Sequence, residues 1–331
     1  MNELVKKFII ALVISLLVFG ISAAVIVSAL SIGRESENTD DGRDEEILGE
    51  SFNVLLIMTD FSPNKFGDYL PEHVKNVFGI DYKTNYSSDS LDGYRRIYAE
   101  TMALFRFDAE RGEITYTHIP GNTLVSVKGV KMCLEEIPSR YGAEFLVEKI
   151  HALFGVEIDT YALFTPKSAA TALSYVGNII YTVDKDMHHT DSDRGIDIHI
   201  VGGAQEFDGK KAVDLLRFDN YSNNGSTKSA TVCGYLKRFV NKLSEDFTYD
   251  EIGCIIKKAF EVENIVTNFE SNDMSKYEES IRLLSCGSKL EVIELLPVGE
   301  EQRVDSKTYF KLNESETLKR FAPYRKINSP K

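Results

Sequence analysis

The strongest pattern in the chain is an uncharged apolar run from Phe8 to Gly33, "FIIALVISLLVFGISAAVIVSALSIG". About 20 apolar residues are enough to span hydrocarbon, so the run predicts one transmembrane helix, 8–33, behind a short tail, 1–7. The small residues "ISAA" at 21–24 leave a cleaved signal peptide open as the rival reading. Residues 34–50, "RESENTDDGRDEEILGE", carry eight acids and two bases with no apolar periodicity. They read as an acidic linker.

From Phe52 the pattern changes to that of a folded domain, 51–322, followed by a short tail, 323–331. "FNVLLIMT" (52–59) is a near-continuous apolar run of strand length, as suits a strand covered on both faces. A polar and aromatic stretch from Phe61 to Gly93 reads mainly as a long loop, with room for one short helix around His73 to Phe78. "RRIYAETMALFRFD" (95–108) and "GEITYTHIP" (112–120) read as two strands, and "IPGNT" as a turn leading to a third. Phe145, Leu146, Ile150, Leu153 and Phe154 recur at helical spacing, predicting a helix over 139–154 that stops at Gly155. "IDTYALFT", "PKSAATALSYVG" and "NIIYTVD" then give strand, helix and strand, a β-α-β order. A strand at "GIDIHIV" precedes helices over 208–218, 227–243, 249–261 and 273–285. Strands "LEVIELLP" and "KTYFKL" and a helix at 315–321 complete the chain. The fold class is α/β, a single domain with a mixed central sheet flanked by helices.

Charge sets the orientation and excludes one class of partner. Lys6 and Lys7 precede the span and the acidic linker follows it, which places the N-terminus in the cytoplasm and the domain outside the cell membrane. The whole chain carries −13; removing the +1 of Glu3, Lys6 and Lys7 leaves −14 on the remainder. That field repels polyanions, so nucleic acid is not an expected partner. Cys133, Cys233, Cys254 and Cys286 form no C-x-x-C pair; four cysteines in an exported domain allow disulfides, but each sits among apolar residues, the setting of buried free thiols.

Several phrases together resemble one family, the LytR-CpsA-Psr proteins of bacterial cell envelopes. They are "NVLLIMTD", "YAETMALFRFD", "THIPGNT", "ALFGVEIDTYALF", "ALSYVGNIIYTVDKDM", "FDGKKAVDLLRF" and "LLPVG…KTYFKLNESETLKRF". The resemblance implies a phosphotransferase that moves a glycopolymer of teichoic acid or capsule type from an undecaprenyl-pyrophosphate carrier onto peptidoglycan, assisted by Mg²⁺. The alternative is a non-catalytic envelope protein that binds polyprenyl phosphate or glycopolymer.

Pyrophosphate needs cations, a hard metal needs carboxylates and the lipid needs an apolar pocket. Where the family has Arg-Ser-Asp-Thr, this chain has Tyr98, Ala99, Glu100 and Thr101; where it has Pro-Arg-Asp-Thr, Pro120, Gly121, Asn122 and Thr123. The Arg-aromatic-Arg motif becomes Arg217, Phe218 and Asp219, and two helical arginines become Lys228 and Thr231. The resemblance therefore implies Arg217 and Glu100 as catalytic residues, Arg217 and Lys228 for pyrophosphate, and Asp60 and Glu100 for the metal; Arg96, which alternates with Tyr98 and Glu100 along one strand and so shares their face, is a further candidate for pyrophosphate. A strand-end or helix-capping acid is the other reading of Asp60, a solvated edge charge that of Glu100, and an ordinary surface arginine that of Arg96. Ala169, Ala172, Leu173 and Val176 either line a polyprenyl pocket or pack the core.

Overall fold

The computed structural model describes residues 51–60, 98–191, 196–219, 221, 227–272, 274–304 and 307–324. The chain divides into two compact units, Met1–Ile47 and Leu48–Lys331, and every described residue belongs to the second. The predicted span, the linker, the long loop and Arg96 lie outside the described residues. Among the described residues no helix is long and apolar enough to cross a membrane.

A six-stranded mixed sheet forms the middle layer. Its strands are β1 (Phe52–Thr59), β2 (Ala99–Asp108), β3 (Glu113–Ile119), β6 (Thr160–Phe164), β11 (Ile265–Thr267) and β12 (Glu291–Glu294). Their order across the sheet is β11-β6-β1-β2-β3-β12. β1 runs antiparallel to β2 and parallel to β6, which buries it on both faces as its apolar run requires. Leu55 and Ile57 face one side, with Met102, Leu104, Ile119 and Leu163, and pack on helix α2 (Ala143–Phe154) and helix α8 (Glu314–Phe321). Met58, Ala103, Phe105, Tyr116 and Phe164 face the other. That face is covered by helices α3 (Pro166–Ser174), α4 (Gly209–Arg217), α5 (Lys228–Asp246), α6 (Tyr249–Phe260) and α7 (Glu278–Leu284).

Capping chemistry sets several helix starts. Thr165, Asp208, Thr227 and Thr248 each accept a backbone N–H of the first turn, and Pro166 opens α3. α2 ends at Gly155 in the left-handed region (φ 67°). The single helix expected over 139–154 is in fact two, α1 (Ile137–Tyr141) and α2. Gly142, at φ 89°, breaks the backbone between them, although the apolar spacing runs through.

Four two-stranded sheets surround this core. β4 (Leu124–Val127) pairs with β5 (Val130–Cys133), β7 (Ile179–Val183) with β10 (Gly203–Phe207), β8 (Met187–Asp191) with β9 (Ile196–Ile200), and β13 (Gly299–Val304) with β14 (Lys307–Leu312). The expected β-α-β order holds along the chain, but β7 pairs with β10 instead of joining β6 in the central sheet. All four cysteines are free; Cys133 and Cys233 are buried, whereas Cys254 and Cys286 are exposed, against the expectation of four buried thiols. Cys254 lies on α6 and Cys286 in the turn after α7, where apolar sequence neighbours do not decide which way one side chain faces.

Candidate functional site

A one-residue irregularity in the β1–β2 ladder builds the site. Met58 pairs with Thr101 and Thr59 with Ala99, so Glu100 is the extra residue of a bulge. The bulge breaks the alternation of side chains and sends two successive residues toward the C-terminus of α4. Thr101 Oγ1 donates to the Leu216 carbonyl at 2.7 Å. Glu100 meets Arg217, the last residue of α4, with Nε to Oε2 at 2.6 Å and Nη2 to Oε1 at 3.4 Å. Both partners are buried, Glu100 at 5% exposure and Arg217 at 6%. Glu100 is thus no solvated edge charge but half of a buried fork-to-carboxylate pair.

Lys228, at the first position of α5, donates from Nζ to the Glu100 carbonyl at 2.9 Å. Three of the expected residues, Glu100, Arg217 and Lys228, therefore converge. Asp60 closes the strand end: its N–H donates to the Tyr98 carbonyl at 3.0 Å, and its Oδ1 accepts the Tyr98 N–H at 2.8 Å. This is the strand-end role.

The expected Mg²⁺ can be tested against these donors. Magnesium takes carboxylate oxygens and waters at about 2.0–2.1 Å. Both Glu100 oxygens face Arg217, and Asp60 Oδ1 is engaged with Tyr98. Among the described residues no three His, Cys, Asp or Glu side chains converge as a metal site. Among the described residues, the two carboxylates expected to hold Mg²⁺ are thus each engaged with a protein partner.

The "IPGNT" segment is a tight turn in which Thr123 N–H donates to the Pro120 carbonyl at 3.1 Å. Asn122 Nδ2 does not bond locally but donates to the Thr308 carbonyl in β14 at 3.1 Å, tying the turn to the C-terminal hairpin. Gly121 has no room for a side chain. A Cβ there would lie 2.9 Å from Glu135 Oε2 and 3.0 Å from the Ala99 carbonyl oxygen.

Beside the pair lies a group that sequence order hides. His118 Nδ1 and Ser229 Oγ are 2.8 Å apart, although 111 positions separate them. Burial first, then the Lys228 charge, hold His118 down to about 3, so its imidazole is neutral at ordinary pH. His118 lies in β3 and Ser229 in the first turn of α5, and the α5–β3 contact joins them.

Between the sheet and α3, α5, α6 and α7 runs an apolar cavity of about 210 Å³. Ala169, Ala172, Leu173 and Val176 all line it, with Val54, Leu56, Phe105 and Phe239 among the opposing walls. Thr101 and Leu216 line it too, each one residue from the Glu100–Arg217 pair.

The LytR_cpsA_psr family profile matches residues 76–323, three quarters of the chain. The chain belongs to that family. No curated protein matches it significantly. Among solved structures, B. subtilis TagV is similar at 16% identity and a TM-score of 0.60, over 83% of this chain and 95% of TagV. A putative transcription regulator from Eubacterium siraeum DSM 15702 is similar at 12% identity and a TM-score of 0.61, over 88% and 99% of the two chains. TagT, solved bound to LIIa-WTA, is similar at 13% identity and a TM-score of 0.54, over 88% and 95%. At such identities the likeness establishes the fold, and this LytR_cpsA_psr protein is the α/β domain with a mixed sheet that its sequence predicts.

Proposed function

We propose that this chain is a cell-envelope protein, anchored by the span 8–33 with its domain outside the cell membrane. It binds an undecaprenyl-pyrophosphate-linked glycopolymer of the wall-teichoic-acid kind. One observation carries the reading: an apolar cavity reaches the only place among the described residues where the expected pyrophosphate-binding cations, Arg217 and Lys228, meet. Part of the isoprenoid tail enters the cavity, where each buried methylene contributes about 0.8 kcal/mol. The phosphates lie against Lys228 and Arg217. The polymer class is taken from TagT, whose structure holds LIIa-WTA. With a net charge of −13 the chain is no nucleic-acid binder.

Ligation to peptidoglycan is the second reading, favoured by family membership. Binding without efficient ligation is the reading we adopt, because Arg217 is already neutralised by Glu100 and position 121 is closed to a side chain. Among the described residues a transferring pyrophosphate would meet few charges not already engaged, and each 1.4 kcal/mol of lost stabilisation is about tenfold in rate.

The test follows the fluorescence anisotropy of a polyprenyl pyrophosphate that carries a visible-wavelength fluorophore, outside the range of aromatic side-chain emission. Ala172→Trp, which fills the cavity, and Lys228→Ala, which removes the ammonium, should each weaken binding about tenfold or more. Unchanged affinity in both variants would overturn the assignment of the site. Transfer of a labelled lipid-linked polymer to peptidoglycan at a rate matching TagT would replace the binding reading with ligation.

A further inference from the structure

We propose that the β8–β9 hairpin carries a surface site for a divalent transition-metal ion, Zn²⁺ or a close relative, ligated by Nδ1 of His188 and Nδ1 of His199. The two residues are directly opposed across the antiparallel ladder. Their Nδ1 atoms are 3.1 Å apart and their ring centroids 5.3 Å apart. Two Zn–N bonds of about 2.0–2.1 Å at a tetrahedral angle span about 3.3 Å. The apo spacing is already that of two ligands on one ion.

The far side of each ring is prepared as well. His199 Nε2 lies 2.9 Å from Asp197 Oδ1, which also accepts from Thr190 Oγ1 at 3.2 Å. That carboxylate takes the Nε2–H and leaves a lone pair on Nδ1, the carboxylate–histidine arrangement that orients metal ligands. His188 Nε2 lies 3.9 Å from Asp186 Oδ2, and the other oxygen of Asp186 is fixed by the Gly202 N–H at 2.7 Å. Without metal, His188 donates Nδ1–H to the His199 lone pair. When the ion binds, that hydrogen moves to His188 Nε2, facing Asp186, and both Nδ1 lone pairs turn to the metal. No net proton is released.

The platform is rigid because the inner face of the hairpin is core. Met187, Ile196, Ile198 and Ile200 are buried, and β9 packs on α4. His189 points to that inner side, 3.9 Å from Asp219, and takes no part. Two imidazoles leave the remaining positions of the ion to water or to a donor from another molecule, and the exposure of both rings allows this.

The experiment titrates Zn²⁺ into the full-length chain, made without a polyhistidine tag and stripped with chelator, following bound metal by equilibrium dialysis. One equivalent should bind saturably. His188→Asn and His199→Asn should each abolish that equivalent, and Asp197→Asn should weaken it about tenfold or more. Asp60→Asn should leave it unchanged. Metal-free melting curves of the variants report whether the hairpin still folds; where one variant fails to fold, the other histidine variant decides. Absence of a saturable equivalent, or its survival in a folded histidine variant, overturns the site.

Discussion

Replacing Gly121 with alanine should destabilise the domain, although the substitution removes a glycine from a turn. Gly121 does not occupy the left-handed region, so the usual strain penalty does not apply. Stiffening the unfolded chain would by itself stabilise by about 0.4–1 kcal/mol. Against that stands the contact of the new Cβ with Glu135 Oε2 at 2.9 Å and with the Ala99 carbonyl at 3.0 Å. The Glu135 side chain can swing away; the Ala99 carbonyl belongs to a central strand and cannot. Overpacking of this kind costs about 1–3 kcal/mol, leaving a net loss of about 0.5–2 kcal/mol. In a domain of this size that lowers Tm by about 1–8 °C. Thermal and urea unfolding of the wild type, Gly121→Ala, Glu135→Ala and the double variant would measure it. Glu135→Ala should recover part of the loss but not all. Gly121→Ala with a Tm equal to or above wild type would refute the reasoning, and with it the claim that position 121 is closed to an arginine.

Arg217→Ala strands a buried carboxylate at Glu100 and should cost about 3–5 kcal/mol. Adding Glu100→Gln should restore part of it in urea unfolding, and strictly additive losses would show that the pair does not couple. His118 is held to about 3 when folded against 6.5 unfolded, so between those values the unfolded chain takes up the proton first. Stability should fall on acidification below about 6.5, by roughly 1.4 kcal/mol per pH unit from this residue. His118→Gln should flatten that part of the stability profile; an unchanged slope would mean the imidazole titrates normally. Millimolar Mg²⁺ should leave Tm unchanged in the chain without lipid, and a rise abolished by Asp60→Asn would establish a metal site there.

Much of the fold was legible because single elements carry their own signals. The apolar run of 52–59 is β1 residue for residue, and Pro166 and Gly155 mark helix ends where expected. The family motifs single out Arg217, which keeps a motif arginine, and Glu100 and Lys228, which replace motif residues, and the structure brings these three side chains together. Their state was not legible. A period-two reading of β2 cannot reveal that Glu100 is a bulge residue, and without the bulge its carboxylate has no route to Arg217. β13 was missed because every residue of "GEEQRV" is exposed, so it lacks the apolar alternation that marks a strand. The closure of Gly121 depends on Glu135, and the His118–Ser229 contact on the packing of α5 against β3. Neither is local in sequence.

The strand order of the central sheet has a consequence for the chain as it is made. β11 and β12, which form the two edges, are the last of its six strands in sequence. Until residues 265–294 emerge, β6 and β3 are both bare edges, each presenting unpaired N–H and C=O groups to any neighbour. The two late strands are only three and four residues long, too short to invite pairing themselves, so each serves as a terminal seal. A chain stopped near residue 260 would keep β1, β2, β3 and β6 yet expose two open sides, and it should associate edge to edge. Completion of synthesis, more than formation of the core, is what makes this sheet safe from its own copies.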